Sequence, residues 1–284
     1  MSTSTIRALR VKSAVNRGKS PRVAFHTFLT HSVCTDAGPR KNGGYLLQRN
    51  DICVRLADGR QGIDEVGLLV TRMYRRRGYS IPTTGLDSAD CIRRLTLEAC
   101  YKNRTVGTLT LNLDSGDGLY AEQLYADEIR ALRGTGAKVC EFTRLALDGE
   151  DCSKEALACL FHLGFIFAYR IHQASDLLIE VNPRHALFYR RKLGFEQIGT
   201  EKLCPRVDAP AVLLHKPLGV LAEELLRWGG LRVPRNKSFY ALGLPPWEES
   251  GLVCKIKRTL AGSRDTSRPA LSLVKATANP ARSA

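Results

Sequence analysis

The segment 176–195 constrains the fold more than any other part of the sequence. It opens with an apolar run that only Glu180 interrupts, which predicts a buried strand. Asn182 and Pro183 follow as a helix cap and a first helical residue, and Gly194 supplies the stop. A buried strand that passes directly into a helix is typical of α/β proteins.

Hydrophobic periodicity predicts a similar alternation along residues 51–230. We therefore expect an α/β fold with a central mixed, twisted sheet flanked by helices. The turn Lys102–Arg104 joins two of the strands as a hairpin. The predicted strands are 51–57, 92–101, 105–113, 138–147, 176–181, 195–199 and 211–215, and the predicted helices are 65–74, 121–133, 153–173, 183–192 and 220–228.

The formal net charge of +15 lies entirely in the two ends of the chain. Residues 1–50 hold nine basic residues and one acidic residue, and residues 231–284 hold ten basic and three acidic residues. Residues 51–230 are neutral overall, with 24 basic and 24 acidic residues. We predict a basic, mostly irregular N-terminal tail over 1–50, a folded core over 51–230, and a basic C-terminal extension over 231–284 that is largely disordered at its end. Such tails either attract nucleic acid, an anionic membrane surface or an acidic protein, or only keep the protein soluble. No aromatic residues interleave with the charges, which favours the second interpretation.

Composition also excludes several classes of protein. No window of about 18 uncharged apolar residues predicts a membrane span, and the start of the chain lacks the apolar run of a secretory signal. The nine cysteines form no C-x-x-C pair and the six histidines show no ligand spacing, so neither a zinc site nor a disulfide scaffold is indicated. We expect a cytoplasmic protein that needs no metal or redox cofactor.

Segment 177–195 resembles the C-terminal half of GNAT acyltransferases. In that family an aromatic-Tyr pair stands three residues before Leu-Gly-Phe, and here Phe188-Tyr189 precedes Leu193–Phe195 at that spacing. The resemblance implies a GNAT fold in which Asn182, Phe188 and Tyr189 lie beside the acyl-thioester arm. It makes Tyr189 the acid that protonates the departing thiolate. The alternative is that Tyr189 is an interface aromatic whose hydroxyl is satisfied nearby.

The segment after the central strand departs from the pattern of CoA-dependent GNAT enzymes. Those enzymes hold the pyrophosphate on a Gln/Arg-x-x-Gly-x-Gly/Ala loop at the start of a helix, where backbone N–H groups bind the anion. Residues 147–155 contain only one glycine, and the acids at 148, 150 and 151 would repel a pyrophosphate. This difference favours a donor with a single phosphodiester, namely the acyl-phosphopantetheine thioester of an acyl carrier protein.

Two thioester-using groups of the GNAT superfamily fit this departure, the acyl-homoserine-lactone synthases and the FeeM-type N-acyl amino acid synthases. The first carry Glu-x-Ser/Thr-Arg on the central strand and Asp-x-x-Asp in a loop, patterns that Glu141–Arg144 and Asp87–Asp90 resemble. The fuller resemblance, over about residues 50–217, is to the FeeM type. It rests on Tyr125–Leu132, Arg144–Asp148, Asn182–His185 and Ala209–Leu214.

The first helix departs from these relatives. Where they often read Leu-Arg-aromatic-Arg, this chain has Leu69-Val-Thr-Arg72, so that only Arg72 remains of the two arginines. The resemblance makes Arg72, Asp87 and Asp90 candidates for substrate binding. Paired carboxylates in a polar loop are, however, more often solvated turn residues, which is the alternative for Asp87 and Asp90.

The central strand carries the candidate chemistry. Glu141 can accept the amine proton during amide formation, and Arg144 stands three residues later. Positions i and i+3 of a strand face opposite sides, so the two side chains converge only at a bulge. Backbone N–H groups freed there around Leu145 and Leu147 would hold the carbonyl oxygen, with Thr143 beside the substrate. The alternative for Glu141 and Arg144 is a salt bridge that only supports the sheet.

We therefore predict an N-acyltransferase that moves a fatty acyl group from an acyl carrier protein to the amine of an amino acid or a similar acceptor. The acidic carrier protein would meet Arg72, Arg75–Arg77 or the basic tails. One alternative is an ordinary GNAT acetyltransferase that uses acetyl-CoA. The other is a non-catalytic module that senses an acyl chain or an amine and binds nucleic acid or a membrane through its tails.

Overall fold

A computed structural model of the chain describes residues 44–57, 59–79, 94–115, 118–148, 154–233 and 238–262. All of them belong to one compact unit, Pro39–Ala284. Among the described residues, no helix combines the length and the apolar character that crossing a bilayer requires. Nor do these residues place three or more His, Cys, Asp or Glu side chains where they would bind a metal ion together.

The described residues form nine strands and six α-helices, and each strand and helix predicted from the sequence is present. The sequence did not predict two short strands, Leu47–Arg49 and Lys202–Cys204, or the last helix, Pro246–Gly262. The strands are β1 (Leu47–Arg49), β2 (Ile52–Leu56), β3 (Arg94–Tyr101), β4 (Arg104–Leu113), β5 (Val139–Leu147), β6 (Asp176–Val181), β7 (Glu196–Gln197), β8 (Lys202–Cys204) and β9 (Ala209–Pro217). The helices are α1 (Gly59–Arg75), α2 (Glu122–Gly134), α3 (Lys154–Phe165), α4 (Pro183–Leu193), α5 (Leu218–Trp228) and α6 (Pro246–Gly262).

One mixed sheet runs through the molecule in the order β1-β2-β3-β4-β5-β6-β9-β7, and β8 pairs with β9. All these pairs are antiparallel except β5 with β6, which α3 connects as a crossover. The parallel pairing extends only from Val139 and Asp176 to Phe142 and Ile179. Since β5 continues to Leu147, the two strands separate beyond this point and leave a cleft in the sheet.

A bulge in β5 lies on one arm of this cleft. Thr110 of β4 is opposite Thr143, but Thr108 is opposite Ala146, so β5 has one residue more than β4 over this stretch. Arg144 takes up the extra length with a φ of 50°, in the left-handed region that non-glycine residues rarely adopt. The bulge on which the sequence analysis made the meeting of Glu141 and Arg144 depend is therefore present in β5.

Helix α3 is buried on all sides, as its apolar sequence predicts, because the sheet covers one face and the C-terminal segment covers another. Nε2 of His162 lies 3.0 Å from Oε2 of Glu249 on α6, and the backbone N–H of Leu244 donates to His162 Nδ1 over 2.9 Å. Leu252 and Ile256 of α6 are buried in the same core. The packed core therefore continues past residue 230, where the sequence placed its end.

Tyr125 fixes the start of α2 against the far end of the sheet. Its side chain is completely buried, and its hydroxyl donates to the backbone oxygens of Thr200 and Ala211 at 3.0 and 2.8 Å. Gly199 allows the ring to sit here, because a Cβ at this position would lie 2.6 Å from two ring carbons and 2.7 Å from Cβ of Leu213.

We expect the substitution Gly199→Ala to lower the free energy of unfolding by about 1–3 kcal/mol, because the anchored Tyr125 ring cannot move away from the added methyl group. Urea denaturation measures the change. Gly219→Ala is the matched control, since a Cβ there meets no atom within 4 Å and alanine is the better helix former in α5. Equal stability of the two variants would contradict the expectation.

Candidate active site

A cavity of about 520 Å³ opens where β5 and β6 separate. The diverging strands form its two arms, and α1 and α4 contribute further walls. The predicted residues Thr143, Arg144, Leu145, Leu147, Asn182, Phe188 and Tyr189 all line it. The splayed strands thus bring together most of the predicted site.

Aromatic and aliphatic side chains form an apolar part of the cavity lining. Phe142 packs edge to face against Phe161 with ring centres 5.6 Å apart, and Phe161 lies 6.2 Å from Tyr189. Leu109 and Leu157 complete this wall. A surface of this kind excludes water and suits an alkyl chain.

Tyr189 presents the only hydroxyl of this aromatic wall among the described residues. Its side chain is 8% exposed, and burial raises its pKa, so the phenol is neutral near pH 7. The hydroxyl has no hydrogen-bond partner among the described residues. It is therefore available as a proton donor to a group bound in the cavity.

The cavity lining also contains polar and charged groups. Burial raises the pKa of Tyr74 to about 12. The nearby groups of Tyr79 and Glu180 raise this pKa further, whereas the guanidinium groups of Arg144 and Arg77 lower it. All four of these groups line the same cavity as Tyr74.

Glu141 lies outside the cavity lining. Its carboxylate is buried and accepts hydrogen bonds from Asn112 Nδ2 at 2.9 Å and from the backbone N–H groups of Tyr120 and Ala121 at 2.7 and 3.1 Å. Burial raises the pKa of Glu141, while these donors act in the opposite direction. This placement makes Glu141 a positioning residue for the segment before α2.

The segment that Glu141 holds reaches the cavity through Arg206. Nη1 of Arg206 donates to the backbone oxygen of Tyr120 at 2.7 Å, and Nη2 donates to Oε1 of Glu180 at 2.6 Å. The ring of Tyr120 lies 5.7 Å below the Arg206 guanidinium and 4.4 Å from that of Arg94. A continuous set of hydrogen bonds therefore connects Glu141 to the cavity wall.

Arg72, a predicted substrate-binding residue, pairs with Asp148 just after β5. Its Nη2 lies 2.7 Å from Asp148 Oδ2, and Arg76 lies 3.8 Å from Oδ1. The charge of Asp148 is therefore compensated within the protein, which weakens the expected repulsion of a pyrophosphate at this position. Asp87 and Asp90 lie outside the described residues.

Asn182 and Phe188 line the cavity and also make contacts that stabilise the structure around it. The Asn182 side chain caps α4 by accepting from the N–H of Arg184 at 3.2 Å, and it donates to the oxygen of Pro210 at 3.0 Å. Phe188 packs edge to face on Tyr189, with ring centres 5.4 Å apart. Both residues thus help to position α4 and the Tyr189 ring.

Sequence reasoning did not assign roles to three cavity residues, Glu180, Arg206 and Tyr74. Glu180 carries a visible signal, since it is the single charged side chain inside an apolar strand. Arg206 lies in the turn between β8 and β9, where no pattern distinguishes it from any other surface arginine. Tyr74 occupies an ordinary apolar position of α1.

We expect Glu141→Gln to lower the free energy of unfolding by about 1–3 kcal/mol, because one of the three donors then faces an amide NH₂ group instead of a carboxylate oxygen. Urea denaturation and steady-state turnover are measured together. Glu223→Gln, on the exposed face of α5, is the control and should change neither. A Glu141→Gln protein that keeps full stability but loses turnover would instead support Glu141 as the proton acceptor.

Comparisons with known proteins agree with this geometry. The model of the family described as "N-acyl amino acid synthase FeeM" matches residues 65–217, more than half of the chain. The solved structure of FeeM, an N-acyl amino acid synthase from uncultured soil microbes, is 28% identical with a TM-score of 0.55, over 59% of this chain and 91% of that one. No curated protein sequence is significantly similar.

Other solved structures are similar at lower identity. An N-acetyltransferase from Staphylococcus aureus Mu50 is 15% identical with a TM-score of 0.43, over 59% of this chain and 97% of that one. The acyl-homoserine-lactone synthase LasI is 13% identical with a TM-score of 0.43, over 59% and 90%. The family match, the splayed sheet and the cavity between its arms lead to one conclusion: the chain belongs to the FeeM N-acyl amino acid synthase family and is an N-acyltransferase with the GNAT fold.

Proposed function

We propose that the protein transfers a fatty acyl group from the phosphopantetheine thioester of an acyl carrier protein to the amine of an amino acid or a similar acceptor. The observation that carries the proposal is the cavity between β5 and β6, whose lining combines aromatic and aliphatic side chains with charged and polar groups. An alkyl chain fits the apolar part of this lining, and a polar amine fits the charged part.

The reaction follows from this arrangement. A thioester between the two strand arms places its carbonyl beside the bulge at Arg144, where backbone N–H groups around Leu145 and Leu147 hold the developing oxyanion. The amine nitrogen forms the new bond to the carbonyl carbon, and the electron pair of the C–S bond leaves with sulfur. Tyr189 donates a proton to that thiolate.

The proposed donor is supported by the segment after β5 and by charge. Residues 147–155 contain one glycine, whereas the pyrophosphate-binding sequence pattern of CoA-dependent GNAT enzymes has a glycine followed two residues later by a second glycine or an alanine. Arg75 and Arg76 are exposed at the end of α1, next to the α1 residues that line the cavity. An acidic carrier protein is attracted to such a surface. The proposal includes a cytoplasmic location, where carrier proteins act, and no cofactor beyond the carrier's phosphopantetheine.

The proposed acceptor is supported by the family and by the charged residues of the cavity lining. FeeM itself is described as an N-acyl amino acid synthase. Arg77 and Arg144 both line the cavity and provide positive charge for an acceptor carboxylate. A carboxylate-bearing amine therefore matches this lining better than a simple alkylamine.

Incubation of the full chain with a C12 acyl carrier protein and an equimolar mixture of the twenty amino acids should yield an N-acyl amino acid, identified by mass spectrometry. The same mixture with acetyl-CoA should yield at least about tenfold less product, because two-carbon acyl groups leave the aromatic wall uncovered. Faster transfer from acetyl-CoA would favour the ordinary acetyltransferase. No product from either donor would contradict the proposal.

We expect Tyr189→Phe to reduce turnover by about 10²-fold, because the thiolate then leaves without a proton donor. The melting temperature should stay unchanged, since the hydroxyl has no partner among the described residues. Tyr240→Phe is the contrasting control: its hydroxyl donates to the buried oxygen of Leu193 at 2.6 Å, so stability should fall and turnover persist. Full turnover by Tyr189→Phe would remove its role as the acid.

A further inference from the structure

We propose that Glu180 is the catalytic residue that binds the amine of the acceptor and takes the proton that it loses. This inference rests on the proposed function, because it assigns a residue to the same amide-forming reaction. It replaces Glu141, the carboxylate that the sequence favours, with one on the other arm of the cleft.

Glu180 stands where the cleft begins. Phe142 and Ile179 are the last paired residues of β5 and β6, and Thr143 and Glu180 are the next residues on the diverging arms. Both line the cavity. A thioester whose carbonyl faces the bulge at Arg144 on β5 is therefore approached by its nucleophile from the side of β6, where Glu180 lies.

The carboxylate of Glu180 is half satisfied. The thiol of Cys204, whose pKa is raised by burial and by its contact with this carboxylate, is only a weak donor. Oε1 accepts from Arg206 Nη2 at 2.6 Å, whereas Oε2 is buried and has no N–H or O–H donor among the described residues. A buried carboxylate oxygen without such a donor is unfavourable, and an ammonium or amine N–H would supply the missing hydrogen bond. The acceptor amine is the N–H donor that the proposed reaction brings into this cavity.

Arg206 keeps Glu180 in place for this role. Its Nη1 is itself held by the backbone oxygen of Tyr120 at 2.7 Å and by Gln123 Oε1 at 3.0 Å. The guanidinium is thus fixed from two sides and leaves only one oxygen of the carboxylate for the ligand. Glu141, by contrast, has its two oxygens occupied by three donors and does not line the cavity.

The protons balance in the proposed step. The acceptor ammonium transfers one proton to Glu180, which passes it to solvent, and the neutral nitrogen then uses its lone pair to attack the carbonyl carbon. The C–S bond breaks, and sulfur takes the proton of Tyr189. The second proton lost by the nitrogen restores the Tyr189 hydroxyl. The products are the amide, the free thiol and one proton in solution.

The test compares two nucleophiles in the same protein. With C12 acyl carrier protein as donor, the rates of transfer to the twenty-amino-acid mixture and to hydroxylamine are measured for wild type and Glu180→Gln. Hydroxylamine is mostly neutral near pH 7 and needs no deprotonation before attack. We expect Glu180→Gln to reduce kcat/KM for amino acids by about 10²-fold and for hydroxylamine by less than about tenfold. The KM for the carrier protein should not change.

The ratio of the two rates within one variant does not depend on the fraction of folded protein, so partial unfolding does not obscure the result. Glu180→Asp retains the charge and should recover part of the amino acid rate. Glu223→Gln, on the exposed face of α5, should leave both rates unchanged.

Three outcomes would overturn the inference. Equal losses for both nucleophiles would mean that Glu180 only supports Arg206 and the cavity wall. An unchanged amino acid rate would mean that Glu180 has no part in the reaction. A wild-type protein that acylates no amino acid, yet transfers the chain to hydroxylamine, would overturn the proposed acceptor as well as Glu180 as its base.

Discussion

The short parallel pairing between β5 and β6 is the constraint on which the rest of the structure depends. It joins two buried strands through residues Val139 to Phe142 and then stops, because the bulge at Arg144 turns β5 away from β6. The opening creates the cavity, sets the orientation of α4 against it, and places Tyr189 and Glu180 on its walls. A fully paired sheet at this point would leave no space for a thioester.

A second constraint is the set of hydrogen bonds that begins at Glu141. This buried carboxylate holds the backbone before α2, the backbone oxygen of Tyr120 holds Arg206, and Arg206 holds Glu180. Each partner is on a different segment, so the network couples β5, the start of α2 and the β8–β9 turn to Glu180 in the cavity wall. Networks of this kind rigidify a site because removal of one member leaves the next one unsatisfied.

The sequence predicted much of the site but not its inner arrangement. Tyr189, Arg144 and Thr143 were predicted and line the cavity, since the spacing of strand, cap and helix determines which of their faces meet the sheet. Glu141 was predicted as a reacting group, yet it lies under the segment 118–121. Arg72 was predicted to bind substrate, yet it pairs with Asp148. In both cases the partner comes from a distant part of the chain, and one-dimensional spacing contains no information about that distance.

By itself, the sequence determined the alternation of strands and helices, the cap and stop of α4, and the central strand with its Glu-x-Thr-Arg pattern. These features follow from local rules of periodicity, capping and glycine conformation, which act over a few residues. Only the tertiary structure decided that the C-terminal helix α6 completes the core and that Glu180, not Glu141, borders the cavity. Burial and charge pairing depend on which remote segments meet, and that is settled when the sheet folds and its strands separate.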